Sequence, residues 1–157
     1  MSGLVSGLVS GVSPHDRAAG PGERRDVTDG ELAALLAGAR VAPSADNAQT
    51  WRFVTVRSPS TRAELGRHVP PSLAQSVVDA SVVIVVCGVR WMVTGTRREQ
   101  PFVMIDVPIA TTHILLRAAE MGLPCAWTLD CDEGAVRGAL GVPSEVRVIA
   151  IVAVGCS

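Results

Sequence analysis

The sequence predicts a three-layer α/β or α+β domain, and three observations carry that expectation. The run Val82–Val89 is β-branched at nearly every position, as expected of a strand covered on both faces. A second strongly apolar run, Val146–Val154, has the same character. Between them Val107, Ala110, Ile114, Ala118 and Met121 recur at helical spacing and build one apolar face. At 157 residues and 48% apolar content the chain can bury one core and is too apolar for wholesale disorder.

The elements follow in order. Thr28-Asp29-Gly30-Glu31 matches the capping-box pattern, and Leu32, Leu35, Leu36 and Ala39 continue it as a helix over Asp29–Arg40. Pro43 stops that helix by removing a donor and restricting its predecessor. Residues 51–57 alternate as a strand with one buried face. A short helix is expected over 60–68 with Ser60 as its cap, then a turn at Pro70-Pro71 and a short helix to Val78. Residues 90–100 form a polar excursion carrying Trp91, which reads equally as a pocket wall or a loop anchor. Asp106 is expected to cap the next helix, with Pro108 in its first turn and Gly122 just beyond its end. A strand over 125–129, a helix over 132–140 ended by Gly141, and the strand Val146–Val154 complete the chain.

Composition excludes several function classes. Only 18% of residues are charged, and the mean hydropathy of +0.34 suggests that some apolar surface lies in a subunit interface. A net charge of −1 rules out a basic nucleic-acid footprint. All 14 cationic side chains are arginine, which removes Schiff-base lysine chemistry and the lysine of a phosphate-binding P-loop. Residues 1–12 repeat Ser-Gly-Leu-Val units without a positive leader, so residues 1–22 read as a flexible arm and not a secretory signal. Residues 23–157 then form one domain. No stretch approaches the roughly 18 apolar residues of a membrane span. Cys87, Cys125, Cys131 and Cys156 show no paired spacing and read as reduced, mostly buried thiols of a cytoplasmic protein, with no metal site.

The common mechanistic motifs G-x-G-x-x-G, G-x-S-x-G and H-E-x-x-H are absent. His113 sits in the central helix beside Arg117 and Glu120, where a structural, hydrogen-bonded histidine is favoured over a catalytic one. One polar loop remains. Residues 42–51 set small residues, the Ser44 hydroxyl and the Asn47 and Gln49 amides between a capped helix and a buried strand. Each amide offers a donor and an acceptor, which suits the edge of a heteroaromatic ring, although an ordinary Asx-turn connection carries equal weight on spacing alone.

Ala42-Pro43-Ser44-Ala45-Asp46-Asn47-Ala48-Gln49-Thr50-Trp51-Arg52-Phe53 resembles the pattern A-P-S-x-x-N-x-Q-P-W-x-F of the nitroreductase-like flavoenzyme family. The resemblance resumes over residues 106–127, where a helix is followed by Gly122-Leu123-Pro124-Cys125-Ala126-Trp127, and again over 136–155. It implies an α+β fold with a central mixed, largely antiparallel sheet flanked by helices, in an intertwined homodimer that binds FMN at the subunit interface. By this resemblance Pro43, Ser44 and Asn47 approach the flavin, often from the opposite subunit, and Gln49 belongs to the same motif. Thr128, Leu129 and Asp130 match the stretch near the reactive edge, where a backbone amide can bond the hydride-exchanging nitrogen. No catalytic side chain is then obligatory, because the cofactor carries the redox chemistry.

The departures also matter. Of the family's N-terminal phosphate-gripping R-R-S-x-R motif only Arg17 survives, which points to weakened FMN affinity. Thr50 stands for a usual proline, Pro124 for a glycine, and Asp130 for a frequent glycine. The resemblance thus implies an FMN-dependent oxidoreductase of a small organic substrate. Two alternatives stay open: a dehydrogenase subunit acting on a peptide-like substrate with a small second subunit, as in cyclodipeptide oxidases, and a degenerate, non-catalytic flavin-binding or assembly subunit.

Overall fold

Helix α1 (Asp29–Arg40) opens on the expected capping box: the Thr28 hydroxyl accepts the Glu31 amide at 3.2 Å, and the Glu31 carboxylate accepts the Thr28 amide at 2.8 Å. The computed structural model describes residues 24–89 and 101–156. The arm expected at residues 1–22 with Arg17, and the excursion at 90–100 with Trp91, lie outside the described residues.

Strand β1 (Trp51–Val56) is followed by helices α2 (Pro59–Gly66) and α3 (Pro71–Asp79) and strand β2 (Val82–Val89). Ser58, not Ser60, caps α2, because Pro59 takes the first helical position and moves the cap back before it. The Ser60 hydroxyl instead pairs with that of Ser58 at 2.9 Å.

Helix α4 (Val103–Glu120) starts earlier than its sequence suggests. Asp106 is therefore not its cap but a buried residue of its first turn, and Pro108 lies inside the helix. The Pro101 and Phe102 carbonyls accept the Met104, Ile105 and Asp106 amides at 2.8–2.9 Å, so backbone bonding nucleates this end without a side-chain cap.

Strand β3 (Cys125–Thr128) ends one residue early because Thr128 ties the following turn to itself. Helix α5 (Glu133–Leu140) takes Asp132 as its cap and stops at Gly141, whose φ of 64° a side chain would resist. Strand β4 (Val146–Val154) closes the sheet.

The sheet runs β1-β2-β4-β3, antiparallel at each pairing. Helices α1 and α4 cover one face: Leu35, Ala39, Val107, Ala110, Ile114 and Ala118 pack against Ile84, Val86, Val152 and Val154. Helices α2, α3 and α5 cover the other, where Leu65, Leu73, Val77 and Val136 meet Val83, Val85, Ile151 and Ala153. Each fully buried Val, Leu or Ile contributes about 1.5–3 kcal/mol relative to exposure. The register slips between Val86 and Cys87, so Ile149 and Ala150 on β4 both join the α1/α4 core instead of alternating.

Among the described residues no helix is long and apolar enough to cross a membrane, and no cluster of three or more His, Cys, Asp or Glu could hold a metal ion. Cys87 and Cys125 are buried free thiols, Cys131 is a half-buried one, and Cys156 is buried.

Candidate functional site

The loop after α1 is held in an unusual shape. Ala45–Asn47 forms a single 3-10 turn, and Asp46, Asn47 and Gln49 stand at φ values of 50°, 55° and 47°. Asn and Asp tolerate this left-handed region better than most residues, whereas at Gln49 it is a strained conformation. Bonds on two sides keep it there. The Ser44 hydroxyl accepts the Gln49 amide at 3.1 Å, and the Ser44 carbonyl accepts the Asn47 amide at 3.1 Å. From α4, both carboxylate oxygens of Asp106 accept the Ala45 amide at 3.2 Å.

Among the described residues the Asn47 and Gln49 side-chain amides have no hydrogen-bond partner, and both residues are exposed. Pro43 is exposed and Ser44 half-buried. The Thr50 hydroxyl is buried and finds no partner among the described residues. Gln49 lines a cleft of about 520 Å³ with Leu36, Arg40, Trp51, Arg52 and Phe53. The Arg52 guanidinium donates to the Trp51 and Gln49 carbonyls at 2.7 and 3.3 Å, which fixes the far end of the loop.

Thr128, Leu129 and Asp130 form the turn after β3. The Thr128 hydroxyl accepts the Asp130 amide at 2.9 Å and donates to the Asp130 carbonyl at 3.1 Å. The Asp130 amide is therefore engaged, and Leu129 carries the backbone donor of this pair with no partner among the described residues. Leu129 lines a second cleft, of about 330 Å³, with Met104, Pro108, Cys131, Glu133 and Arg147 among its walls. Met104 and Leu129 are large apolar side chains left about half exposed there.

Burial, followed by the negative field of Glu133, Asp130 and Asp132, raises the Cys131 pKa above the ordinary thiol value and so disfavours the thiolate. Glu133 is held below the ordinary carboxylate range, chiefly by its 2.7 Å bond from Arg147. His113 bonds the Gly38 carbonyl at 3.2 Å through Nδ1, tying α4 to α1, which is the structural role its sequence position favoured.

The two clefts share no lining residue; the loop meets the start of α4 through Asp106, and the turn after β3 meets it through Met104 and Pro108. Sequence reasoning missed Asp106 as the residue beneath the loop. The signal was present: Asp106 follows Val103 by three and precedes Ala110 by four, which puts a carboxylate on the buried stripe of α4.

A four-stranded antiparallel sheet between two helical layers, with a strained polar loop at the end of α1, defines an α+β fold, and comparison with known proteins places it. The chain belongs to the nitroreductase family, whose model matches residues 23–85 and 71–156. A Thermus thermophilus protein named NADH dehydrogenase is 31% identical in a gapped alignment of 163 positions that covers 84% of this chain and 78% of its own. A nitroreductase family protein from Clostridium novyi superposes with a TM-score of 0.79 at 23% identity, over 85% of this chain and 76% of its own. An FMN-dependent nitroreductase from Clostridium difficile does so at 0.74 and 22% identity, over 90% and 82%. These structures share the α+β fold derived above.

Proposed function

We propose that the chain binds FMN as a homodimer and moves hydride between that flavin and a small organic substrate. The observation that carries this reading is the strained turn at 44–49, which leaves the exposed Asn47 and Gln49 amides without partners among the described residues. Strain of this kind persists only where its surroundings hold it, and it clusters at ligand sites. Two free amides together offer the donor and acceptor pattern of a heteroaromatic edge.

The turn after β3 supplies what the loop lacks. The Leu129 amide can donate to a ring nitrogen, and the Met104 and Leu129 side chains would exclude water from a ring face. When bound, the flavin supplies the hydride chemistry; these residues orient it and set its surroundings. In this reading a second copy would complete the flavin site. Val41 and Leu116, exposed on one shallow cleft between α1 and α4, offer apolar surface for that contact.

The test is reconstitution. The purified chain with FMN should quench the free flavin's fluorescence, sediment as a dimer and oxidise a nicotinamide donor when a nitroaromatic acceptor is present. Asn47→Gly removes the amide at a φ that glycine adopts freely, and it should weaken FMN binding by about 1–3 kcal/mol. A chain that takes up no flavin, or that binds it fully as a folded monomer, would sink the proposal.

A further inference from the structure

We infer that Asp106 is a positioning residue for the flavin site: it acts through the Ala45 amide to hold the 44–49 loop in its ligand-ready shape. This rests on the reading of that loop as a flavin contact. Asp106 is only 2% exposed, and a buried carboxylate is costly unless its oxygens are bonded. Among the described residues its one hydrogen-bond donor is Ala45, sixty-one positions earlier, and both oxygens are turned to that single N–H at 3.2 Å.

A carboxylate is not needed there for the helix. The first turn of α4 is already nucleated by the Pro101 and Phe102 carbonyls, and the same stripe carries Val103, Val107 and Ala110. An apolar residue would fit the packing. The hydrogen bonds that the Asp106 carboxylate accepts serve the loop, where they fix the first residue of the 3-10 turn and, through it, the left-handed Asp46 and Asn47 that follow. The α4 amino-terminal dipole makes the carboxylate tolerable at this depth. A charge-assisted bond from a rigid helix is a stiffer anchor than the Ser44 contacts within the loop itself.

Two variants remove the contact from opposite ends. Asp106→Asn keeps the shape and weakens the acceptor. Ala45→Pro deletes the N–H at the first position of a helical turn, where proline is accommodated, and leaves α4 untouched. FMN affinity is read by flavin fluorescence quenching on the full chain, with urea stability of the flavin-free protein read beside it. Each variant should weaken FMN about tenfold in a chain still fully folded, and the double variant should bind no worse than the weaker single.

Affinity equal to the parent in Ala45→Pro, or in a folded Asp106→Asn, overturns the inference while Asn47→Gly still binds weakly. Losses that multiply in the double variant overturn it as well, because the two groups would then act independently. If Asp106→Asn does not fold, Ala45→Pro decides alone. Unchanged affinity in Asn47→Gly would instead overturn the loop reading, and this inference with it.

Discussion

Gly88 on β2 and Val103 on α4 approach so closely that a Cβ on the glycine would collide with Val103 Cγ2. Val107 Cγ2 would be 2.9 Å away. Glycine at this point lets the amino-terminal end of α4, and Asp106 with it, lie down on the sheet. Gly88→Ala should therefore cost about 1–3 kcal/mol in urea denaturation by overpacking. Val103→Ala in the same chain should recover part of that loss, because the two substitutions share one contact.

Arg62 is a buried cation whose hydrogen bonds go to carbonyls. Its guanidinium donates to Arg57 at 2.6 Å, and to Val78 and Ser81 at 3.3 Å, joining the end of β1 to the chain leading into β2. Arg62→Met keeps the apolar stem and orphans these acceptors. Chemical denaturation should register a loss of roughly 2–3 kcal/mol, and Arg62→Lys should rescue little because a point ammonium cannot span the fork.

Acid should act on the Glu133–Arg147 pair. The bonds from Arg147 and from the Val148 amide depress the folded-state pKa of Glu133 below its ordinary 4.5. A depressed carboxylate stabilises the fold above the unfolded value and loses that contribution as pH falls through the lower folded one. Thermal midpoints followed downward from pH 5 should fall less steeply in Glu133→Gln than in the parent.

The buried thiols give the opposite limb. Desolvation pushes Cys87 up to about 11 and Cys125 up to about 12, against an ordinary value of 9.0. Well below pH 9 both states keep their protons and nothing changes. Above it only the unfolded chain ionises, so stability should decline as pH rises from 9 towards the folded values. At pH 8 a thiol reagent should leave Cys87 and Cys125 unmodified until denaturant is added.

Local signals made most of the fold legible. The Thr28 capping box, the β-branched run of β2 and the glycine at 141 each act within a few residues, so the sequence exposes them directly. What escaped depends on distant partners. Asp106 reads as a helix cap until Ala45 is known to lie above it, and Ser60 reads as a cap until Pro59 is seen to occupy the helix. The extra residue at Ile149 has no local mark, because it reflects a register chosen by the β2 neighbour. The motif at 43–49 was legible as a polar loop, but its left-handed backbone was not, since contacts from Ser44, Asp106 and Arg52 together hold it.

The central pairing of the sheet joins Val82–Val89 to Val146–Val154, so two strands that meet in space are far apart in order of synthesis. On the ribosome β2 can pair with β1 early, yet its other edge stays open until α4, β3 and α5 have been made. That edge belongs to an uncharged run of seven buried residues, Val82 to Gly88. An unpaired, flat, apolar edge is a template for other chains. The long closure also makes folding slow relative to helical proteins of similar size. Yield on expression should therefore depend on temperature and chaperone supply more than the finished protein's stability would suggest.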